Sequence, residues 1–373
     1  MRRAAALKML FHDRATALGS VAGVIAIVFL VGQQLAIFFG LTGFMSSIAD
    51  TSGADAWVLA RNTENINAAG SIPLSWRDRV AGVDGVAWVE PVVITAGQLR
   101  RRDGNTIGVQ VVGCNPPRLA GGPNRFAQGS IADLLDPEAV TVDKLELPEL
   151  GYPGVGDALE INGKRVRVAA VTTGLRGFGG TLLYCSIAKA REIAGSGGDR
   201  CTALLIGLSP GRDAVGMVAL LRGILPRAEV FATADLSRST KLYYLKNSGI
   251  GTSFGFTTLI AALVGLVIIA LTMYTNVISK SQDYAMLRVL GARRRDVLYI
   301  VFLQSLYIAA IGILLGFLLL AGFLSGTRES ALPVSLPWLV GPALAAATLL
   351  LCLLGSLLAM RRAVKIEPAS AFR

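Results

Sequence analysis

The sequence predicts an α+β membrane protein, with four transmembrane helices and one large mixed α/β domain lying outside the membrane between the first and second. Three observations carry this. Hydrophobic residues make up 53% of the 373 and charged ones only 16%, more apolar than a soluble globular domain. Four stretches, Leu18 to Met45, Gly249 to Ile278, Leu298 to Leu324 and Leu336 to Met360, hold no Lys, Arg, Asp or Glu, and each exceeds the roughly 20 residues a helix needs to cross a bilayer core. Between the first and second lies a segment of ordinary polarity, Ser46 to Ser248, long enough to fold around its own core.

Residues 1–17 read as a cytoplasmic amphipathic lead-in, followed by the first span, 18–45. That span is too long for the apolar region of a signal peptide and lacks a small-residue cleavage site after a short core, so it reads as a retained anchor. In the outer domain, 46–248, Asp103-Gly104 and Asn162-Gly163 each lie between strand-like runs and predict tight hairpins, because these residues tolerate positive φ. Ser75 with Asp78 three positions on has the form of a capping box opening a short helix. Ser186 to Gly195 reads as a second helix closed by glycine. "GLRGFGG", Gly174 to Gly180, leads into no clear helix and reads as a mobile loop rather than an anion cradle. Asp235 to Gly249 runs towards the second span without a strong breaker, which predicts one continuous helix. Cys114, Cys185 and Cys201 fall in the outer domain and Cys352 in the fourth span; a Cys185–Cys201 bridge and isolated buried thiols are both open.

The second span, 249–278, precedes a loop, 279–297; the third, 298–324, and fourth, 336–360, flank a short connection, 325–335, and a tail, 361–373, ends the chain. Charge orients these pieces. The formal net charge of +11 places +3 before the first span, +3 in the 279–297 loop and +3 in the tail, while the long outer segment is nearly balanced. Basic residues collect on the cytoplasmic side, so both termini and the 279–297 loop are expected inside and the large domain outside a bacterial inner membrane. This topology explains the basic balance and removes the main support for a nucleic-acid partner.

Complete catalytic signatures are missing from the sequence. It holds no phosphate loop, no H-E-x-x-H and no C-x-x-C, and its two G-x-S-x-G strings, Gly207 to Gly211 and Gly251 to Gly255, have no histidine in the outer domain to complete a triad, since the one histidine is His12. No catalytic, cofactor-binding or metal-ligating residue is therefore assigned, and the chain is expected to be a non-catalytic subunit. Asp133 and Asp136 could be imagined as a general acid and base, but exposed loop carboxylates are common. The polar residues of the spans are mainly Gln33, Gln34 and Gln304, a poor basis for an ion path and better suited to hydrogen bonds between helices. Gly251-x-x-x-Gly255 and Gly312-x-x-x-Gly316 allow close helix approach.

The loop "SKSQDYAMLRVLGARRRDV", Ser279 to Val297, has a pattern of its own. Tyr284, Leu287 and Leu290 recur at three-residue spacing, Met286 and Val289 widen the stripe, Asp283 and Arg288 add charge, and Gly291 should stop the helix. Such a helix suits either the inner leaflet surface or a groove on a cytoplasmic partner.

The run Gln282 to Arg293, "QDYAMLRVLGAR", with "RRDVLYIVFLQSLYIAAIGILLGF" after it, resembles the cytoplasmic loop and third span of FtsX-like, MacB-type ABC transporter permeases, and looks closest to the DevC-like members. The opening "LKMLFHDRATALGSVAGVIAIVFLVGQQ" and the tail "RRAVKIEPASAFR" fit the same plan. The chain departs from the family at Gln282-Asp283, where Arg-Glu is frequent, at Ala285, often glycine, and at Gln304, often an acid. The resemblance implies a permease subunit of an export or mechanotransmission complex, driven by a separate ABC-type ATPase and working with a second permease copy as homodimer or heterodimer. Its DevC-like aspect implies a periplasmic adaptor and an outer-membrane channel. It places the ATPase contact on Asp283, Tyr284, Met286, Leu287, Arg288, Leu290 and Gly291, with Leu and Tyr filling a groove and Arg288 at its rim. The alternative in the same family is a signalling or cell-wall-regulatory subunit that drives an outer partner without cargo.

Overall fold

The computed structural model describes residues 14–101, 103–279, 281–289, 291–327 and 332–363. The lead-in up to residue 13, His12, Leu290, a piece of the 325–335 connection and the tail beyond residue 363 lie outside the described residues. The chain divides into two compact units, one of residues 41–251 and one of residues 1–40 with 252–373.

The unit of residues 41–251 holds the C-terminal end of helix α1 (Arg14–Met45), then α2 (Ser47–Thr51), β1 (Ala56–Ala60), β2 (Ile72–Pro73), α3 (Trp76–Ala81), β3 (Val86–Arg100), β4 (Thr106–Cys114), β5 (Phe126–Gln128) and β6 (Ala139–Asp143). There follow α4 (Leu147–Leu150), β7 (Ala158–Ile161), β8 (Lys164–Thr172), β9 (Thr181–Ser186), α5 (Ile187–Ala194), β10 (Arg200–Cys201), β11 (Ala203–Leu208), α6 (Ala214–Ile224), β12 (Ala228–Ala232) and α7 (Thr233–Asn247). The main sheet runs β12-β1-β11-β3-β4-β9-β6-β8-β5, and β7 pairs with both β3 and β8. That double pairing closes β3, β4, β9, β6, β8 and β7 into a ring. The long β3 serves both the open and the closed region of the sheet: Val86 to Val92 pair with β11, and Val92 to Arg100 with β4.

Side-chain alternation builds a core on each face of the sheet. Along β1, Ala56 and Val58 join one buried cluster while Trp57 and Leu59 join another. The first cluster includes Ile187, Ala190 and Ile193 of α5 and Met217, Val218 and Leu221 of α6; the second includes Ile48 of α2 and Leu236 of α7. Strands buried on both faces read as nearly continuous apolar runs, as in "ALLIGL" of β11.

Both predicted hairpins form, β3–β4 across Asp103-Gly104 and β7–β8 across Asn162-Gly163, and the second uses positive φ at both turn residues, 50° and 76°. The α5 caps match the pattern: Ser186 accepts from the Lys189 N–H, and Gly195 closes the helix at φ 62°. Ser75 does not cap α3, because its own backbone is already helical (φ −60°, ψ −16°) and a capping side chain needs an extended backbone. A capping box lies instead at Ser130 and Asp133. The expected continuous helix before the second span is also corrected: α7 ends at Asn247, Gly249 takes φ 72°, and a new helix starts at Ile250. Cys185 and Cys201 are buried free thiols, with no bridge between them.

The other unit contains the rest of α1, α8 (Ile250–Ser279), α9 (Ser281–Val289), α10 (Arg294–Gly326) and α11 (Val340–Ala363). Helices thus occupy all four apolar stretches. Among the described residues, three are long and apolar enough to cross a membrane: Ala17–Met45, Ile250–Thr272 and Arg295–Gly326; the described apolar portion of α11 is the shorter Val340–Ser356. Gly312 and Gly316 let α10 approach α1, since a Cβ at either would stand 2.5 Å from Val24 or 2.7 Å from Val28. Gly255 of the other glycine pair has nothing near it. Gln34 donates from Nε2 to the Thr257 hydroxyl of α8 at 2.9 Å.

Candidate functional site

Two places gather polar groups against apolar surroundings, one in each unit. The first is α9. Its end follows from Gly291, at φ 95°, and from the Ala292 N–H reaching back to the Leu287 carbonyl at 3.0 Å, the six-to-one closure that satisfies a terminal carbonyl. Asp296 accepts from the Arg293 N–H at 3.0 Å and starts α10. A tight stop and a tight start therefore fix α9 to the span that follows.

The apolar stripe of α9 divides between two faces. Tyr284 is buried among Val297, Ile300, Val301 and Leu303, and Leu287 packs half-buried beside it. The Tyr284 hydroxyl donates to Gln304 Oε1 at 2.8 Å, leaving Gln304 Nε2 buried without a partner; burial pushes the phenol's pKa up. Met286 at 62% and Val289 at 52% exposure turn the other way, with Asp283 and Gly291 also exposed. Of the seven residues expected at the ATPase contact, Asp283, Met286 and Gly291 stand on the surface and Tyr284 and Leu287 face the chain's own bundle. Arg288 lies on the helix, and Leu290 is outside the described residues. The sequence pattern did not single out Gln304 as the seat of Tyr284; its one signal was a polar residue in an apolar span.

The second place is a buried polar cluster in the outer unit, at the end of β6 and under the loop 174–180. Asp143, fully buried, accepts from the Leu145 N–H at 3.0 Å, the Thr172 hydroxyl at 3.1 Å and the Leu175 N–H at 2.9 Å. Glu146, also buried, accepts from the Leu182 N–H and from Arg176 Nε, both at 3.2 Å. Burial pushes the Glu146 carboxyl up to about 7, against the opposing pull of Arg176, and the neighbouring Asp143 adds to the rise. Arg176 lies over the Phe44 ring in the last turn of α1, 5.0 Å from its centroid. Phe178 meets Tyr244 of α7 with ring centroids 4.4 Å apart.

The glycines of this loop have a steric reason. A Cβ at Gly177 or Gly179 would press on Gln110 at 3.1 or 3.2 Å, and one at Gly180, where φ is 129°, would meet the Gly108 carbonyl at 2.8 Å. Gln110 in turn donates to Asn67 Oδ1, and Asn67 donates to the Met45 carbonyl.

Asp133 and Asp136, the imagined acid and base, are structural. Asp133 accepts from the Ser130 N–H, and Asp136 from the Glu138 N–H and from Arg167. The Glu138 N–H first, and Arg167 second, hold the Asp136 carboxyl below the usual range. Among the described residues no group of three or more His, Cys, Asp or Glu could hold a metal ion.

Two family models match the chain: one described as the MacB-like periplasmic core domain, over residues 15–224, and one described as the FtsX-like permease C-terminal region, over residues 255–368. The first alone covers more than half of the sequence. The chain belongs to the FtsX-like, MacB-type family of ABC transporter permeases. Members of this family are membrane permeases, generally non-catalytic, that normally work with an ATPase partner, and the mixed α/β unit is an extracytoplasmic domain of the MacB kind.

Three solved structures are similar to a portion of the chain. The periplasmic region of MacB from Actinobacillus actinomycetemcomitans is 12% identical over 50% of this chain and 94% of its own, with a TM-score of 0.37. The extracellular domain of the ABC-type transporter YknZ from Gram-positive bacteria is 14% identical over 48% and 99%, at 0.35. A domain of a permease protein from Porphyromonas gingivalis is 12% identical over 48% and 89%, at 0.34. No curated protein matches the chain.

Proposed function

We propose that this chain is the membrane subunit of an ABC-type export or mechanotransmission complex, in which a separate ATPase bound at α9 drives movement of the outer domain. One observation carries the reading: α9 is seated on its own bundle by Tyr284 and presents Met286 and Val289, two exposed apolar residues, on its other face. A helix pinned on one side and apolar on the other suits force transmission from a bound partner. Asp283 and Gly291 border this face, and Arg288 and Leu290 complete the contact. Four spans, both termini inside and a second permease copy complete the arrangement. The DevC-like motifs add an adaptor and an outer-membrane channel.

The test is retention of the ATPase by the full-length permease in detergent. Met286→Asp places a charge against an apolar groove and should cost about 2 kcal/mol of binding or more, while α9 keeps its seat. ATPase retained in full by Met286→Asp and by Val289→Asp, at normal membrane levels, would mean that this face meets lipid headgroups. The permease alone should hydrolyse no ATP, since it has no phosphate loop. Hydrolysis that tracks the purified chain would sink the division of labour.

A further inference from the structure

The loop 174–180 touches three elements of the outer domain at once. Its root is fixed, because the Leu175 N–H is bonded to Asp143. Beyond that root, Arg176 reaches inward to Glu146 and lies across Phe44, and Phe178 packs on Tyr244. Phe44 belongs to the C-terminal end of α1 and Tyr244 to α7, so the loop lies between the sheet and two helices. Arg176 is the side-chain link from the loop to Glu146, with side-chain exposures of 11% for Arg176 and 4% for Glu146.

Glu146 faces Arg176 from the loop and Asp143 from the end of β6, and β9 contributes the Leu182 N–H. An ionised Glu146 needs Arg176 close, since a buried carboxylate without its partner is costly. A protonated Glu146 no longer does. Gln110 Oε1, buried and without a hydrogen-bond partner, lies beneath Gly177 and Gly179, so a shifted loop has an acceptor at hand for its N–H groups.

We propose that the loop 174–180 is a proton-sensitive latch: with Glu146 ionised, Arg176 holds the loop, and with it the ends of α1 and α7, against the sheet, and uptake of a proton by Glu146 releases it. The inference concerns the outer domain alone and goes beyond the proposed coupling to an ATPase. It fits a domain facing an outer compartment whose acidity varies, because the Glu146 carboxyl changes charge near pH 7.

The sign is distinctive. A carboxyl raised to about 7 from an ordinary 4.5 binds more protons folded than unfolded between those values, so the folded domain gains stability as pH falls through that window. The loop loosens instead as pH falls towards 7, because a Glu146 that stays buried without Arg176 binds its proton more tightly still. Local loosening with global tightening separates a latch from general acid unfolding.

The experiment is hydrogen exchange of the full-length chain in lipid nanodiscs without any ATPase, comparing wild type with Glu146→Gln at each pH so that intrinsic exchange rates cancel. At pH 8 the wild-type loop should exchange about tenfold more slowly than that of Glu146→Gln, as loss of a charge-assisted hydrogen bond implies, and at pH 5.5 the two should agree. Should Glu146→Gln lose protection in β3 and β4 as well, Arg176→Met takes its place, with a loop unprotected at both pH values over an intact sheet. Equal loop protection at pH 8 in wild type and in a folded variant would overturn the latch, as would a pH dependence that persists without Glu146 or Arg176. Because no ATPase is present, these outcomes stand whether or not α9 binds one.

Discussion

Tyr284 shows how one hydroxyl fixes an element. It is buried in the bundle and its hydroxyl donates to Gln304, whose other amide atom already lacks a partner among the described residues. Tyr284→Phe would leave the whole Gln304 amide unsatisfied, at about 1–3 kcal/mol. Replacing both residues, Tyr284→Phe with Gln304→Leu, removes the demand together with the supply and should recover most of that loss. Thermal unfolding of the three variants in one detergent checks this; a double variant less stable than Tyr284→Phe would show that the bond is not what seats α9. Tyr284 was legible as a member of an apolar stripe, yet periodicity gives a face and not its direction. Glu146 and Arg176 were not legible at all. They stand 30 positions apart with no motif between them, and only the neighbouring positions of β6, β8 and β9 in the sheet bring them together.

At the scale of elements, local chemistry decided what could be read. The hairpins at Asp103-Gly104 and Asn162-Gly163 follow from turn residues alone, and so does α5, which carries both its caps. Ser75 misled because the same residue type was placed one step inside a helical backbone. The difference is measurable. Ser186→Ala removes an acceptor from the Lys189 N–H at a buried helix start and should cost about 1 kcal/mol, whereas Ser75→Ala should cost only a few tenths. Denaturant midpoints of the two variants, followed by the fluorescence of buried Trp57, would show the reverse order if Ser75 were the true cap. The break at Gly249 was missed for a related reason. A single glycine beside an apolar run does not distinguish a helix that continues from two that meet at a positive φ.

At the scale of the molecule, apolar length made the division into two units legible, while the closure of the ring was not. It depends on β7 pairing with two strands, β3 and β8, and the first of these lies almost 60 residues earlier in the chain. Orientation across the membrane rests on charge, with +3 in each segment expected inside, and labelling with a membrane-impermeant thiol reagent in intact cells can test it. The background is quiet, because all four native cysteines are buried and burial pushes the Cys185 and Cys201 thiols up to about 12, far from the reactive thiolate. Asn162 is a poor reporter, since it holds positive φ and bonds to Gln98 and Ile193. Asn105 and Ser196 are exposed in the outer unit and suit the purpose. Asn105→Cys and Ser196→Cys should label in intact cells, and Arg294→Cys, at the start of α10, should label only after the membrane is opened. Labelling of Arg294→Cys from outside would invert the topology, place α9 away from any cytoplasmic ATPase, and remove the physical basis of the proposed coupling.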